Sequence, residues 1–172
     1  MIIIKLGGSV VTFKDSHTPK ARISEVNRLA NELSKIQKLG YRTVLVHGAG
    51  SFGHPLAKKY NLTQGIRDEN SCRGFLETIS SMKKLNSYIL EALRKAGINA
   101  LTMHPHNFIT QTNGRLDYFE ISIIRNLLNQ GIMPVLHGDP VIDTKIGCSI
   151  LSGDVTAPYL AKKLKAEKVI FL

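Results

Sequence analysis

Three short stretches carry residue types that can hold an anion. Lys5-Leu6-Gly7-Gly8-Ser9 sets a lysine just ahead of a Gly-Gly-Ser turn, and Gly48-Ala49-Gly50-Ser51-Phe52-Gly53-His54 is a glycine-rich turn closed by a histidine. Ser152-Gly153-Asp154 puts small residues and a carboxylate at the start of a helical pattern. Glycines let successive backbone N–H groups converge without Cβ clashes, which makes a concave anion site. A helix beginning at such a turn adds unpaired N–H donors and a partial positive charge aimed at the same point. A lysine inside a strand either faces water from a sheet edge or meets an anion, and the turn directly after Lys5 favours the anion. His54 stands where an imidazole could donate to a phosphate oxygen; its plainer roles are capping a helix or facing solvent. Asp154 is read either as a helix N-cap or as a member of the site.

The elements that must position these residues follow from hydrophobic pattern. Ile2 to Leu6 is an apolar run apart from Lys5 and reads as a central strand, with its glycine turn at the C-terminal end, where open α/β sheets bind ligands. Val10 to Lys20 reads as a polar loop carrying Lys14, His17 and Lys20. Ile23 to Leu39 repeats apolar residues at helical spacing, with Ser24 a candidate cap at its start and Gly40 at its end. Thr43 to Val46 is the second strand, so the chain opens as a βαβ unit with both glycine turns at one sheet edge. Leu56 to Tyr60 predicts a short helix and Asn61 to Asn70 a loop. Phe75, Ile79, Met82, Leu85, Ile89 and Leu93 stripe a long helix that ends at Gly97. Ile98 to Met103 and Ile132 to Leu136 predict two more strands. Asn113-Gly114 signals a hairpin, Tyr118 to Asn129 an amphipathic helix, and Val141–Asp143 with Ser149–Leu151 a second hairpin. The last helix runs from Ser152 or Asp154 to about Lys165, and Val169 to Leu172 reads as a buried strand. Strands alternating with helices predict an α/β fold: a mainly parallel central sheet sandwiched by helices, decorated by β-hairpins.

A length of 172 residues suits one domain over residues 1–172, and 43% hydrophobic with 21% charged residues is ordinary globular usage. No apolar run of about eighteen residues is present, so no membrane span is expected. The apolar stretch at Met1 is too short for a signal peptide. Cys72 and Cys148 lack metal-ligand spacing and fit free thiols in a reducing, cytoplasmic setting. The net charge of +10 invites nucleic acid, but the basic residues are scattered along the sequence, so no nucleic-acid partner is expected. His104-Pro105-His106 looks like a metal pair without a third ligand, and no metal site is assigned. His17, His47, His104, His106 and His137 receive no role.

Taken in order with Pro134-Val135-Leu136-His137-Gly138-Asp139, the three stretches resemble the amino acid kinase superfamily and, within it, the archaeal-type isopentenyl phosphate kinases. Lys-Leu-Gly-Gly-Ser marks the superfamily; Gly-Ser-Phe-Gly-His and Lys14 mark the subgroup. The resemblance implies transfer of the γ-phosphoryl of ATP to isopentenyl phosphate, a step of isoprenoid synthesis, with Mg²⁺ on the ATP phosphates. It implies that Lys5, Lys14 and His54 act on the phosphoryl groups and that Lys5, Leu6, Gly7, Gly8, Ser9 and Gly50 cradle ATP. Ala49, Gly50, His54, Gly153 and Asp154 would hold the acceptor, with Asp154 organising the lysines or metal-bound water. Phe75, Ile79 and Met82 are candidates both for the acceptor's tail pocket and for plain core. The superfamily resemblance also suggests a homodimer. It covers the N-terminal part of the family chain, so the C-terminal ATP-binding portion is expected to be absent and this chain alone inactive or weak. Two rival functions remain: a kinase for another small phosphate or phosphonate acceptor, and a non-catalytic module that binds a phosphate ligand.

Overall fold

The computed structural model describes residues 1–14 and 18–172, so Asp15, Ser16 and His17 of the polar loop lie outside the described residues. Five parallel strands form the central sheet: β1 (Ile2–Leu6), β2 (Thr43–His47), β3 (Ala100–Thr102), β6 (Met133–His137) and β9 (Lys168–Phe171). Their order is β3-β6-β2-β1-β9, so the two strands that carry glycine turns lie side by side at the centre. Alternation along β1 sends Ile2, Ile4 and Leu6 to one face. There they pack with Val26, Leu29 and Leu33 of α2 (Ile23–Lys38) and Met82, Leu85 and Ile89 of α4 (Glu69–Lys95). Ile3 faces the other way and packs with α5 (Ser122–Asn129) and α6 (Gly153–Leu164). The same period puts Lys5 on the α6 face.

The two expected hairpins merge into a single mixed sheet. β4 (Ile109–Thr112) pairs antiparallel with β5 (Arg115–Phe119) and parallel with β7 (Asp139–Asp143), which pairs antiparallel with β8 (Gly147–Leu151). Asp143 ties the hairpins together. Its buried carboxylate accepts the backbone N–H of Asn113, Gly114, Lys145 and Ile146, at 3.0, 2.7, 3.0 and 3.3 Å. Burial alone would raise the pKa of this carboxyl. The converging N–H donors outweigh it and hold the group well below the usual carboxylate range.

Several expectations need correction. Gly8–Val11 forms a one-turn helix, α1, where the sequence reads as turn and loop. The second glycine turn is itself helical: α3 spans Gly50–Lys59 rather than beginning at Leu56, so His54 sits inside a helix. Two glycines and Pro55 give this segment a poor helix propensity, but tertiary contacts override it. Phe52 is buried, which contributes about 2–3 kcal/mol. The Ser81 hydroxyl donates to the Phe52 carbonyl and the Ser51 N–H to Thr12 Oγ1. Residues Tyr118 and Phe119 extend β5, so the following helix starts only at Ser122. Ser24 does not cap α2, whose N-cap is Arg22 without a side-chain bond. β9 is an edge strand with Phe171 half exposed, not a buried one. Among the described residues no helix is long and apolar enough to cross a membrane.

Candidate active site

β1 and β2 end side by side, and each is followed within three residues by a helix start. The two turns touch through glycine: a Cβ on Gly8 would lie 2.5 Å from the Gly50 nitrogen, and one on Gly48 would lie 2.5 Å from the Gly8 nitrogen. Gly50 also has φ +48, the left-handed region that disfavours side chains. This close approach brings the N-termini of α1 and α3 to one point. Among the described residues the N–H groups of Gly8, Ser9, Ala49, Gly50 and Gly153 have no protein acceptor. A helix start leaves such donors free for an anion. β6 supplies the floor, where Gly138 leaves the central sheet for the mixed one. A Cβ on it would meet the nitrogens of Ala49 and Gly153, both at 3.7 Å, so the starts of α3 and α6 face each other across this glycine.

Two cavities open here and share Lys5, Gly8 and His54. The inner one, about 120 Å³, is bounded by Ala49, Gly153 and Asp154 at its polar end and by Ala57, Thr78, Met82 and Ile150 at its apolar end. The outer one, about 470 Å³, is lined by Gly7, Ser9, Lys14, Gly50 and Ser51. Lys5 Nζ sits 2.7 Å from Asp154 Oδ1, a mostly buried ammonium paired with an exposed carboxylate. Ser152 is the N-cap of α6: its hydroxyl accepts the Asp154 N–H, so Asp154 is not the cap. Pairing with Lys5 is the role its geometry supports.

The structure thus gathers nearly every residue singled out from the sequence. Among those assigned to the phosphates or the acceptor headgroup Leu6 is the exception: it is buried beneath the site and its carbonyl accepts the Gly48 N–H. The Gly7 N–H already donates to the Leu172 carbonyl, which leaves Gly7 as a wall of the outer cavity. Of the three tail-pocket candidates only Met82 lines the inner cavity; Phe75 and Ile79 belong to a small core with Tyr60, Leu62 and Cys148. Sequence reasoning did not find Thr78, Ala57 and Ile150. Thr78 lies four residues before Met82, on the same face of α4, and that spacing was the available signal.

Behind the floor lie four of the histidines without an assigned role: His47, His104, His106 and His137. His47 and His137 end adjacent strands in register, their rings 5.3 Å apart. Each donates from Nδ1 to the carbonyl of the next residue, Gly48 at 3.0 Å and Gly138 at 3.1 Å. Nε2 of His137 is therefore an acceptor, and it takes the Nδ1–H of His104 at 2.9 Å. Burial lowers the pKa of His47 and His137, and of His104 to about 4, so all three are neutral near pH 7. His106 Nδ1 lies 2.6 Å from Asp139 Oδ2, while burial raises the Asp139 pKa against that contact. His47, His104 and His137 form a neutral wall, and among the described residues no set of three or more His, Cys, Asp or Glu side chains could hold a metal.

Fold and site together define an open α/β domain whose helix starts and paired lysine converge on two adjoining cavities. The amino acid kinase family model matches residues 1–172. The isopentenyl phosphate kinase of Methanothermobacter thermautotrophicus is 40% identical, the match covering 99% of this chain and 65% of that protein. Its counterpart from Methanocaldococcus jannaschii is 36% identical over 99% of this chain and 68% of its own length. A crystal structure of an isopentenyl phosphate kinase superposes with a TM-score of 0.92 at 40% identity, covering 99% of this chain and 70% of that one. The chain belongs to the amino acid kinase family, and it spans about two thirds of the length of these relatives.

Proposed function

We propose that residues 1–172 form the acceptor- and phosphate-binding unit of a kinase that transfers the γ-phosphoryl of ATP to isopentenyl phosphate. The observation that carries this reading is the pair of cavities meeting at Lys5, Gly8 and His54. Two anions that must react need adjoining sites and a cation between them, and phosphoryl transfer asks little else of the protein. The inner cavity suits the acceptor. Its phosphate would lie between the N–H groups of Ala49 and Gly153 with His54 donating, and its hydrocarbon tail would run along Ala57, Thr78 and Met82. The outer cavity suits the donor phosphates, with N–H groups from Gly8, Ser9 and Gly50 and the ammonium of Lys14. Lys5 would face both sites and neutralise the oxygens of the group in transit, its position fixed by Asp154. Among the described residues no set of three or more His, Cys, Asp or Glu side chains could hold a metal, so no step here is routed through Mg²⁺.

Calorimetric titration of this chain with isopentenyl phosphate tests the reading. Saturable binding that His54→Ala weakens at least tenfold supports it. A folded chain that ignores isopentenyl phosphate but binds another small phosphate or phosphonate would replace the acceptor.

A further inference from the structure

The strands of the central sheet have a second edge, about 17 Å from the first for five-residue strands. There the chain enters β1 at Met1 and β2 at Arg42, and leaves α5 at Asn129 and α6 at Lys165. A cavity of about 270 Å³ opens between them, lined by Arg42, Arg125, Lys163 and Lys165 with Leu128 at its apolar wall. It continues past Arg42 and Leu128 into a second hollow of about 250 Å³ that Thr43, Ile132 and Met133 help to line. Among the described residues no carboxylate lines either one. The nearby Glu167 is already taken by the N-terminal ammonium. Among the described residues none of the four cations has a carboxylate partner within salt-bridge distance.

Helix C-termini attract cations, and Arg125 does donate to the Lys163 carbonyl at 3.0 Å in the last turn of α6. That accounts for one guanidinium. Among the described residues Arg42 has only the Asn129 amide oxygen, at 3.3 Å. Lys165 is held at φ +52, where glycine or asparagine is the usual residue, so a lysine is kept beside this cavity despite backbone strain. Scattered in sequence, these basic residues are gathered only by the fold.

We propose that this groove is a second, non-catalytic anion site that takes a diphosphate-bearing small molecule. Arg42 and the remaining N–H groups of Arg125 offer donors to separate phosphoryl groups, two lysines add charge, and the hollow beyond Leu128 has room for an organic tail against Ile132 and Met133. The proposal does not rest on the kinase reading.

Inorganic diphosphate, titrated calorimetrically at fixed ionic strength, is the probe. It should bind saturably to the wild type and still bind His54→Ala, while Arg42→Gln combined with Arg125→Gln lowers affinity at least tenfold. Lys165→Gly separates a structural from a binding role: relief of the left-handed strain should raise the melting temperature while affinity falls several-fold. Unchanged binding by the Arg42→Gln/Arg125→Gln chain, loss of all binding in His54→Ala, or no saturable binding would overturn the proposal. So would tighter, steeply salt-dependent binding of a single-stranded oligonucleotide at the same arginines, which would make the patch a polyanion surface. Isopentenyl phosphate binding at the cleft, measured separately, leaves these outcomes untouched.

Discussion

The two ends of the central sheet are both positive, and they become so by different means. At the C-terminal ends of β1, β2 and β6 the donors are mostly backbone N–H groups, brought together because Gly8, Gly48 and Gly50 lack a Cβ. At the N-terminal ends the charge is carried by exposed side chains with no carboxylate partner among the described residues. The difference teaches what each site can tolerate. A backbone site is part of the fold, so damage to it is damage to packing. A side-chain site can lose its charge while the fold stays intact.

The largest effect should come from Gly50→Ala. The new Cβ would collide with Thr12 Oγ1 and the Gly8 carbonyl in a left-handed backbone. Overpacking and strain together should remove about 2–4 kcal/mol of stability, read by denaturant unfolding. If Gly50→Ala unfolds like the wild type, the two turns are not in contact and the contrast fails. His54→Ala lies on the other side of that line: the side chain is exposed, so stability should hold while isopentenyl phosphate affinity drops. A charge-assisted hydrogen bond of about 1.5–3 kcal/mol corresponds to roughly a 10- to 150-fold loss.

A third test reads the histidine wall behind the floor of the cleft. His47, His104 and His137 have folded pKa values below that of an unfolded histidine. The unfolded chain therefore takes up protons first as pH falls. The stability from keeping them neutral is complete above about pH 6.5 and is lost towards pH 4, where His104 itself titrates. Unfolding free energy should fall steadily over that window, and His104→Asn should flatten the slope. A flat wild-type profile would mean these rings are not desolvated. Smallest of all, Arg125→Gln should change stability by no more than about 0.5 kcal/mol, since it removes one exposed carbonyl contact.

Much of the cleft could be read from residue types because phosphate chemistry leaves a local mark. A lysine before Gly-Gly-Ser and a histidine after Gly-Ser-Phe-Gly are contiguous patterns, and the structure gathers Lys5, Lys14, Ala49, His54, Gly153 and Asp154 around the two cavities. The parallel strands and long α4 were equally plain, since each is one unbroken apolar pattern. Where local propensity and tertiary contact disagreed, the sequence misled. Gly50-Ser51-Phe52-Gly53 reads as a loop, and the burial of Phe52 makes it a helix. Tyr118 and Phe119 continue a helical period, yet Phe119 is drawn into β5 opposite Ile109. Long-range pairings had no local mark at all. Nothing near Asp143 announces that it accepts the backbone of two hairpins, and nothing near Arg42 announces Arg125 or Lys165.

The most direct test of the central claim is a crystal structure of this chain with isopentenyl phosphate bound. The account predicts the phosphate between the starts of α3 and α6, about 3 Å from the Ala49 and Gly153 nitrogens and from the His54 ring. Its tail should lie along Thr78 and Met82. A phosphate seated elsewhere, or a tail pointing into the outer cavity beside Lys14, would contradict it.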